Sequence, residues 1–518
     1  MLSCAYSAGI LGIDGFLVTV ECNCTKRMSS FEIVGLPDNA IKEAKERVRS
    51  ASLNSGFGFP DMEIVVNLAP ADIKKEGSAF DLAILISLLQ ASGRLSSDTG
   101  AVDLSGDCFI GELSLSGDVR AVRGVLCMAI SAKQAGKKRI FVPYENAKEA
   151  SVVGGIDVYA IKNAREVADF LTGIRSLEKF VYEPTEAESV ISCPDFADVK
   201  GQARAKRAVE IAAAGGHNIL LIGPPGTGKS MIAKRIPSIL PEMTFDESIE
   251  TTKVHSISGI LPSDVSLIRT RPFRSPHHTM SSPSLVGGGR IPMPGEVSLA
   301  NNGVLFLDEF PEFSKSVTEA LRQPLEDGAV TITRASGRIK YPCSFMLVCA
   351  MNPCRCGYYG HPTHECTCKE SDIKKYMGKI SGPLLDRIDI QIEVPSLTYN
   401  EISQSSRPEE SSAEIRKRVN EARKIAQLRF IGEKTDNGGS IFCNAQMEAK
   451  HIRKYCVLDD ACKMLMERAY DSLGLSARGH DRILRLARTI ADLDCSEDIK
   501  PKHLAEAIQL RTLDKSIT

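Results

Sequence analysis

Asn218-Ile-Leu-Leu-Ile-Gly-Pro-Pro-Gly-Thr-Gly-Lys-Ser230 is the stretch on which the fold turns. The apolar run Asn218 to Ile222 predicts a short buried strand, and Met231 to Ile239 predicts the helix behind it. Between them stand Gly223, Pro224, Pro225, Gly226, Thr227, Gly228, Lys229 and Ser230, a P-loop in the strand–loop–helix setting it requires. The glycines let backbone N–H groups turn inward around the β- and γ-phosphates of ATP. The helix N-terminus adds partial positive charge. Lys229 neutralises phosphate oxygens, and the Ser230 hydroxyl suits Mg²⁺ bridging them. A glycine-rich turn with no ligand would not explain the full motif between the right elements.

Downstream, Val304-Leu-Phe-Leu-Asp-Glu309 predicts an apolar strand ending in two acids. That puts them at the carboxyl edge of an open α/β sheet, where nucleotides bind. Asp308 is expected to hold Mg²⁺ through water, and Glu309 to polarise the attacking water. A plain surface carboxylate pair is the alternative for such a strand standing alone.

Strands and helices alternate from Val199 to about Pro395, in the pattern of a parallel sheet flanked by helices. After Ser396 only helices are expected: Ala413 to Leu428, Ala445 to Tyr455, Asp459 to Leu473, Arg478 to Leu493 and Pro501 to Leu510, with a break at Asn437 to Ser440. Before Leu177 the chain reads as α+β. Strands are expected at Phe16 to Cys24, Met62 to Leu68 and Arg139 to Val142, and helices at Asn39 to Ser52, Phe80 to Ala91 and Ala121 to Ala135. We therefore expect a multi-domain α/β protein: a domain over 1–175, a linker over 176–196, a P-loop core over 197–397 and a helical segment over 398–518.

Composition sets the bounds. The 518 residues are 43% hydrophobic and 25% charged, which excludes a disordered or collagen-like chain. A net charge of −1 excludes a uniformly basic coat protein but leaves room for a local basic surface. No apolar run is long enough for a membrane span, and no signal peptide is apparent, so a cytoplasmic protein with no membrane partner is expected.

The P-loop, the Asp-Glu strand and the all-helical C-terminal segment resemble an AAA+ ATPase. On that resemblance Asp198-Val-Lys-Gly201-Gln202 is the adenine-pocket segment, Asn352 the sensor-1 residue, Arg387 in Gly382-Pro-Leu-Leu-Asp-Arg-Ile-Asp389 the arginine finger, and Arg478 sensor 2, with Arg482 the runner-up. Taken singly, each arginine could equally be a salt-bridged surface residue. A finger that completes a neighbour's site implies a homo-hexamer. Arg271-Pro-Phe-Arg-Ser-Pro-His-His-Thr279, Leu285-Val-Gly-Gly-Gly-Arg290 and Pro294-Gly-Glu-Val-Ser298 are similar, over essentially the whole chain, to the magnesium-chelatase-like AAA+ proteins of the YifB/ComM family. The resemblance implies a hexameric DNA helicase promoting branch migration in recombination or natural transformation.

The residues are compatible with that. Val265 to Gly295 carries Arg269, Arg271, Arg274 and Arg290 with no acid, and its glycines and prolines predict a loop. A basic hairpin over Ala329 to Pro342 carries Arg334, Arg338 and Lys340 and turns at Ala335 to Gly337. In the related clade such insertions line the pore. Two basic loops per subunit would track single-stranded or branched DNA with low sequence specificity. An arginine-rich subunit interface is the other reading.

Cys354-Arg-Cys356 and Cys366-Thr-Cys368 suit tetrahedral Zn²⁺, with His361 or His364 able to replace one thiolate; free cytosolic thiols are the alternative. In the N-terminal region, Glu76 to Ala83 and Gly111 to Gly117 resemble the ribosomal-S5-like domain of Lon. Ser78 lies near the expected serine, but Leu126 stands where that resemblance puts the catalytic lysine, so a non-proteolytic Lon-like domain is expected. The rival function is a magnesium-chelatase-like motor that remodels a protein partner or drives metal insertion. A non-enzymatic DNA-binding scaffold does not need the hydrolytic set.

Overall fold

The computed structural model describes the chain apart from residues 98–99, 182–193, 263, 290–291, 335–336, 362, 398–408, 437–440 and 512–518, and apart from the side chains of residues 97, 334, 337 and 473. Arg290, the Arg334 side chain, the hairpin tip, most of the expected linker and the break at 437–440 thus lie outside the described residues. The chain forms two compact units. One comprises Met1–Val190, Phe245–Ile268 and Thr331–Tyr341, and the other comprises Ile191–Thr244, Arg269–Val330 and Pro342–Thr518.

The first unit is built on a four-stranded sheet in the order Leu2–Leu11, Asp14–Thr25, Glu63–Ala69, Ser30–Val34. The first three strands run antiparallel and the fourth pairs in parallel. Helix Asn39–Asn54 starts at Asp38, whose carboxylate accepts the Ile41 N–H, and buries Ile41, Ala44, Val48 and Ala51 on one face. Helix Asp81–Ala91 is apolar all round, so it lies in the core. Burial pushes its Asp81 carboxyl up to about 6, against the opposing pull of Arg47 at 2.6 Å.

A smaller parallel sheet, Asp157–Ile161, Arg139–Pro143, Asp107–Phe109, carries stacked Phe109, Phe141 and Tyr159. Leu126 is buried in helix Val125–Gln134, and its N–H donates to Glu149. The Ser78 hydroxyl donates to Glu112.

In the second unit, five parallel strands form one sheet: β1 (Ile219–Ile222), β2 (Phe273–Arg274), β3 (Val304–Leu307), β4 (Met346–Met351) and β5 (Ile390–Glu393). Their order is β2-β3-β4-β1-β5. Strands β1, β3 and β4 are buried at every position, as expected where helices cover both faces of a sheet. Helices Ser412–Arg429 and Ala477–Leu493 share one apolar core with β1 and with helix Ala203–Gly215, through Ile415, Val419, Leu486 and Ile490. Among the described residues no strand follows β5, and no helix is long and apolar enough to cross a membrane.

A buried charge cluster joins β5 to helix Ala477–Leu493. Asp389 meets His217 Nδ1 and Arg482 Nε, each at 3.3 Å, and His217 Nε2 lies 2.8 Å from the Thr489 hydroxyl. Burial alone would raise the Asp389 carboxyl, but His217 and Arg482 hold it down at about 2. Asp389→Ala leaves buried Arg482 without its anion and His217 Nδ1 without its partner. It should cost about 3–5 kcal/mol of stability in denaturant unfolding. A midpoint equal to the wild type would show that the cluster contributes nothing.

The stretch 265–295 is not only a loop. It supplies edge strand β2 and the short helix Ser282–Val286, with Leu285 fully buried. Pairing of Phe273 and Arg274 with Val304 and Leu305 draws the segment onto the sheet.

Candidate functional site

Parallel register sets the site. Ile222 lies opposite Met351, and Leu307 opposite Cys349, so Gly223, Asp308 and Asn352 all follow the carboxyl ends of adjacent strands. Gly226 and Gly228 take φ of +80° and +88°, the left-handed region a tight phosphate loop needs and glycine alone enters freely. Thr227 Oγ1 donates to Pro224 O and closes the loop.

Lys229 Nζ donates to Gly223 O and Pro224 O, both at 2.7 Å, and to Asn352 Oδ1 at 3.2 Å. Burial pulls its ammonium down to about 8, against the favourable charge of Asp308. Ser230 Oγ donates to Asp308 Oδ2 at 2.6 Å. A hydroxyl and a carboxylate side by side form the oxygen donor set that Mg²⁺ prefers, so these residues fit the ion.

Glu309 takes φ of +52°, and its carboxylate stands 60% exposed. There it meets His278 Nδ1 at 3.3 Å, with the His277 ring against His278. Sequence reasoning missed this contact. The His-His pair in the Arg-Pro-Phe-Arg string was its only signal. Gln202, buried with φ of +54°, donates to Pro395 O at 2.8 Å and lies 3.4 Å from Thr227 O, which sets the expected adenine segment against the P-loop. The Gly201 N–H donates to Glu409.

The arginines are not brought to this edge. Asn218 precedes β1, and its Nδ2 donates to Arg387 O, so Arg387 sits at the amino edge of the sheet. Its guanidinium pairs with Glu326 at 2.7 Å. The Glu326 carboxyl is held low by its hydrogen bond with Arg387, and Arg478 adds to the effect. Arg482 meets Asp389 at the same edge. The four-residue β1, spanning roughly 13 Å, separates Arg387 from the P-loop of its own chain.

Two of the expected polyanion contacts are occupied within the fold. Arg274 forms a forked pair with Glu296, at 2.6 and 2.8 Å, one residue beyond the acid-free stretch. Arg271 donates to the carbonyls of Pro241, Glu242 and Asn302. In the hairpin Ala329–Arg334 and Gly337–Pro342, Arg338 and Lys340 are exposed, while Ile339 and Tyr341 alternate with them on the packed face.

The Sγ atoms of Cys354, Cys356, Cys366 and Cys368 lie within 4.8 Å of one another. Cys354 is 3.3 Å from Cys356 and 3.7 Å from Cys366, and Cys356 is 3.5 Å from Cys366. Hydrogen bonding from the Tyr358 backbone holds the Cys356 thiol down, at about 5. His361 turns away from the cluster, with Nε2 2.9 Å from Ser396 Oγ.

Family comparison agrees with this geometry. The family model "Magnesium chelatase, subunit ChlI" matches residues 195–402, "Subunit ChlI of Mg-chelatase" matches 20–146, and "Magnesium chelatase, subunit ChlI C-terminal" matches 409–511. The chain is 43% identical over 517 residues to competence protein ComM of Haemophilus influenzae, covering 99% of this chain and 98% of that one. It is 41% identical over 514 residues to YifB of Escherichia coli K12, with the same coverage. A more distant match, 22% identical over 312 residues, covers 58% of this chain and 33% of the maternal DNA replication licensing factor mcm6 of Xenopus tropicalis. With full-length identity above 40% and a nucleotide site at the sheet's carboxyl edge, the chain belongs to the YifB/ComM family of magnesium-chelatase-like AAA+ ATPases.

Proposed function

We propose that this chain is an ATP-hydrolysing motor that works as a homo-hexameric ring, translocating on single-stranded or branched DNA with low sequence specificity and driving branch migration. One observation carries the ring. Lys229, Ser230, Asp308, Glu309 and Asn352 gather at one edge of the sheet, whereas Arg387 and Arg478 lie at the other. Each hydrolytic set is therefore complete only when a neighbour supplies its arginines. The names of the relatives, a competence protein and a replication licensing factor, support DNA as the polymer acted on.

Lys229 and the loop N–H groups bind and orient the phosphates, and Asn352 positions Lys229. Ser230 and Asp308 would hold Mg²⁺, which supplies charge neutralisation when bound. Glu309 accepts the proton of the attacking water. Residues 1–175 are read as a non-proteolytic Lon-like domain, in keeping with Leu126 and the Ser78–Glu112 bond. Residues 398–518 are read as the helical lid, and the site of action as the cytoplasm.

The deciding experiment is branch migration on a four-way junction, with Lys229→Ala as the inactive control. Its companion is the ATPase rate with and without DNA. No migration and no DNA stimulation would favour the second reading, a motor that remodels a protein partner or drives metal insertion, which the chelatase family models support.

The basic hairpin is the proposed DNA grip. Neutralising Arg334, Arg338 and Lys340 together should weaken DNA binding on the order of tenfold or more, while basal ATPase is spared. It should also lower the salt slope by about one for each phosphate no longer neutralised. Unchanged affinity would move the nucleic-acid site elsewhere.

A further inference from the structure

We infer that Cys354, Cys356, Cys366 and Cys368 hold one Zn²⁺ ion, and that this ion is a working part of the ATP site, fixing Asn352 and the P-loop wall in place.

The sulfur geometry fits the ion. A tetrahedron with metal–sulfur bonds of about 2.3 Å has sulfur–sulfur edges of about 3.8 Å. The three short separations here, 3.3, 3.5 and 3.7 Å, fall just inside that value, and all four atoms gather within 4.8 Å. The described cysteines are all free thiols, so no disulfide accounts for the clustering. Four thiolates fill a tetrahedron and leave no open position for catalysis, so the ion acts through what it holds.

What it holds is the sensor side of the nucleotide site, by three routes. Cys354 follows two residues after Asn352, whose Oδ1 accepts from Lys229. Gly357, between the two cysteine pairs, packs on the P-loop itself. A Cβ there would come within 2.7 Å of Pro225 Cδ, and its φ of +90° already disfavours a side chain. Helix Glu370–Met377, which begins two residues after Cys368, brings buried Tyr376 back to the Asn352 backbone N–H. The segment thus leaves Asn352, passes through the cluster over Pro225, and comes back to Asn352. The described residues between Pro353 and Lys369 form no helix or strand, and Tyr359 is exposed, so little regular structure holds that path without the ion.

This inference rests on the ATP-site assignment and is independent of the DNA reading, since both of its readouts are taken without DNA. Full-length protein purified without chelator should contain about one zinc per chain. Replacement by Co²⁺ should give a thiolate-to-metal charge-transfer band. Cys366→Ser with Cys368→Ser should abolish both. Stripping zinc from the wild type with a thiol-competing chelator should lower basal kcat for ATP on the order of 10- to 100-fold, the loss expected when a positioning contact shifts by about 1 Å. Added Zn²⁺ should restore the rate, and added Mg²⁺ should not.

Where stripping or the serine variants unfold the chain, Gly357→Ala separates the two halves. It should keep its zinc and its circular dichroism, yet lose kcat with little change in KM. Zinc at trace level together with no Co²⁺ band would overturn the site. Full ATPase in folded zinc-free protein, or in zinc-loaded Gly357→Ala, would overturn the tie to the nucleotide.

Discussion

Glu309→Gln is expected to bind ATP as tightly as the wild type and to hydrolyse it about 10²–10⁴-fold more slowly. The proposed phosphate and Mg²⁺ residues are held by other contacts. Lys229 sits among Gly223 O, Pro224 O and Asn352, and Ser230 is paired with Asp308. The Glu309 carboxylate stands exposed against His278, so glutamine fits the same space and removes only the basicity. Equilibrium binding of a fluorescent ATP analogue and steady-state phosphate release would check the two halves of the claim. Wild-type turnover would take Glu309 out of the mechanism. Weak binding would mean that it helps to build the pocket.

Arg387→Ala should reduce ATP turnover on the order of 10³-fold, as loss of an arginine that stabilises phosphoryl-transfer charge does. The partial rescue that follows is more diagnostic. Arg387→Ala subunits keep an intact Lys229–Asp308–Glu309 set, and Glu309→Gln subunits keep Arg387. Mixed rings therefore contain sites in which one variant supplies what the other lacks. Turnover of the mixture should exceed the sum of the two parts. Additive rates would sink the assignment of Arg387 to a neighbour's site. At rest the Arg387 side chain is 11% exposed and paired with Glu326, itself 59% exposed, so the finger has to leave that pair to reach a neighbour.

Much of the architecture is legible because it is written in contiguous residues. The P-loop, the Asp308–Glu309 strand end and the late helices each carry their own periodicity and punctuation, and each lies within a few residues of its expected place. Helix Phe245–Ser258 escapes a reading of the chain because its buried positions include Ser248, Thr251, Thr252 and Ser256, which leave no apolar stripe to read. Strand Leu2–Leu11 escapes it for a related reason: its inward positions are mostly small, with Ala5, Ser7 and Ala8 buried. The two-residue β2 has no period at all and exists because β3 lies beside it.

What contiguous residues carry could therefore be taken from the chain alone: a P-loop at Gly223 to Ser230, paired acids after an apolar strand, two Cys-x-Cys pairs, and the family. Which of these groups meet was decided by the sheet. Its parallel register sets Asp308, Asn352 and the P-loop on one edge and Arg387 on the other, and folding of the cysteine segment brings Gly357 onto Pro225. Spacing along a chain reports what a segment can form by itself. Contact between residues far apart in sequence depends on the order and direction of strands, which hydrogen bonding and burial settle only when all of them pack together.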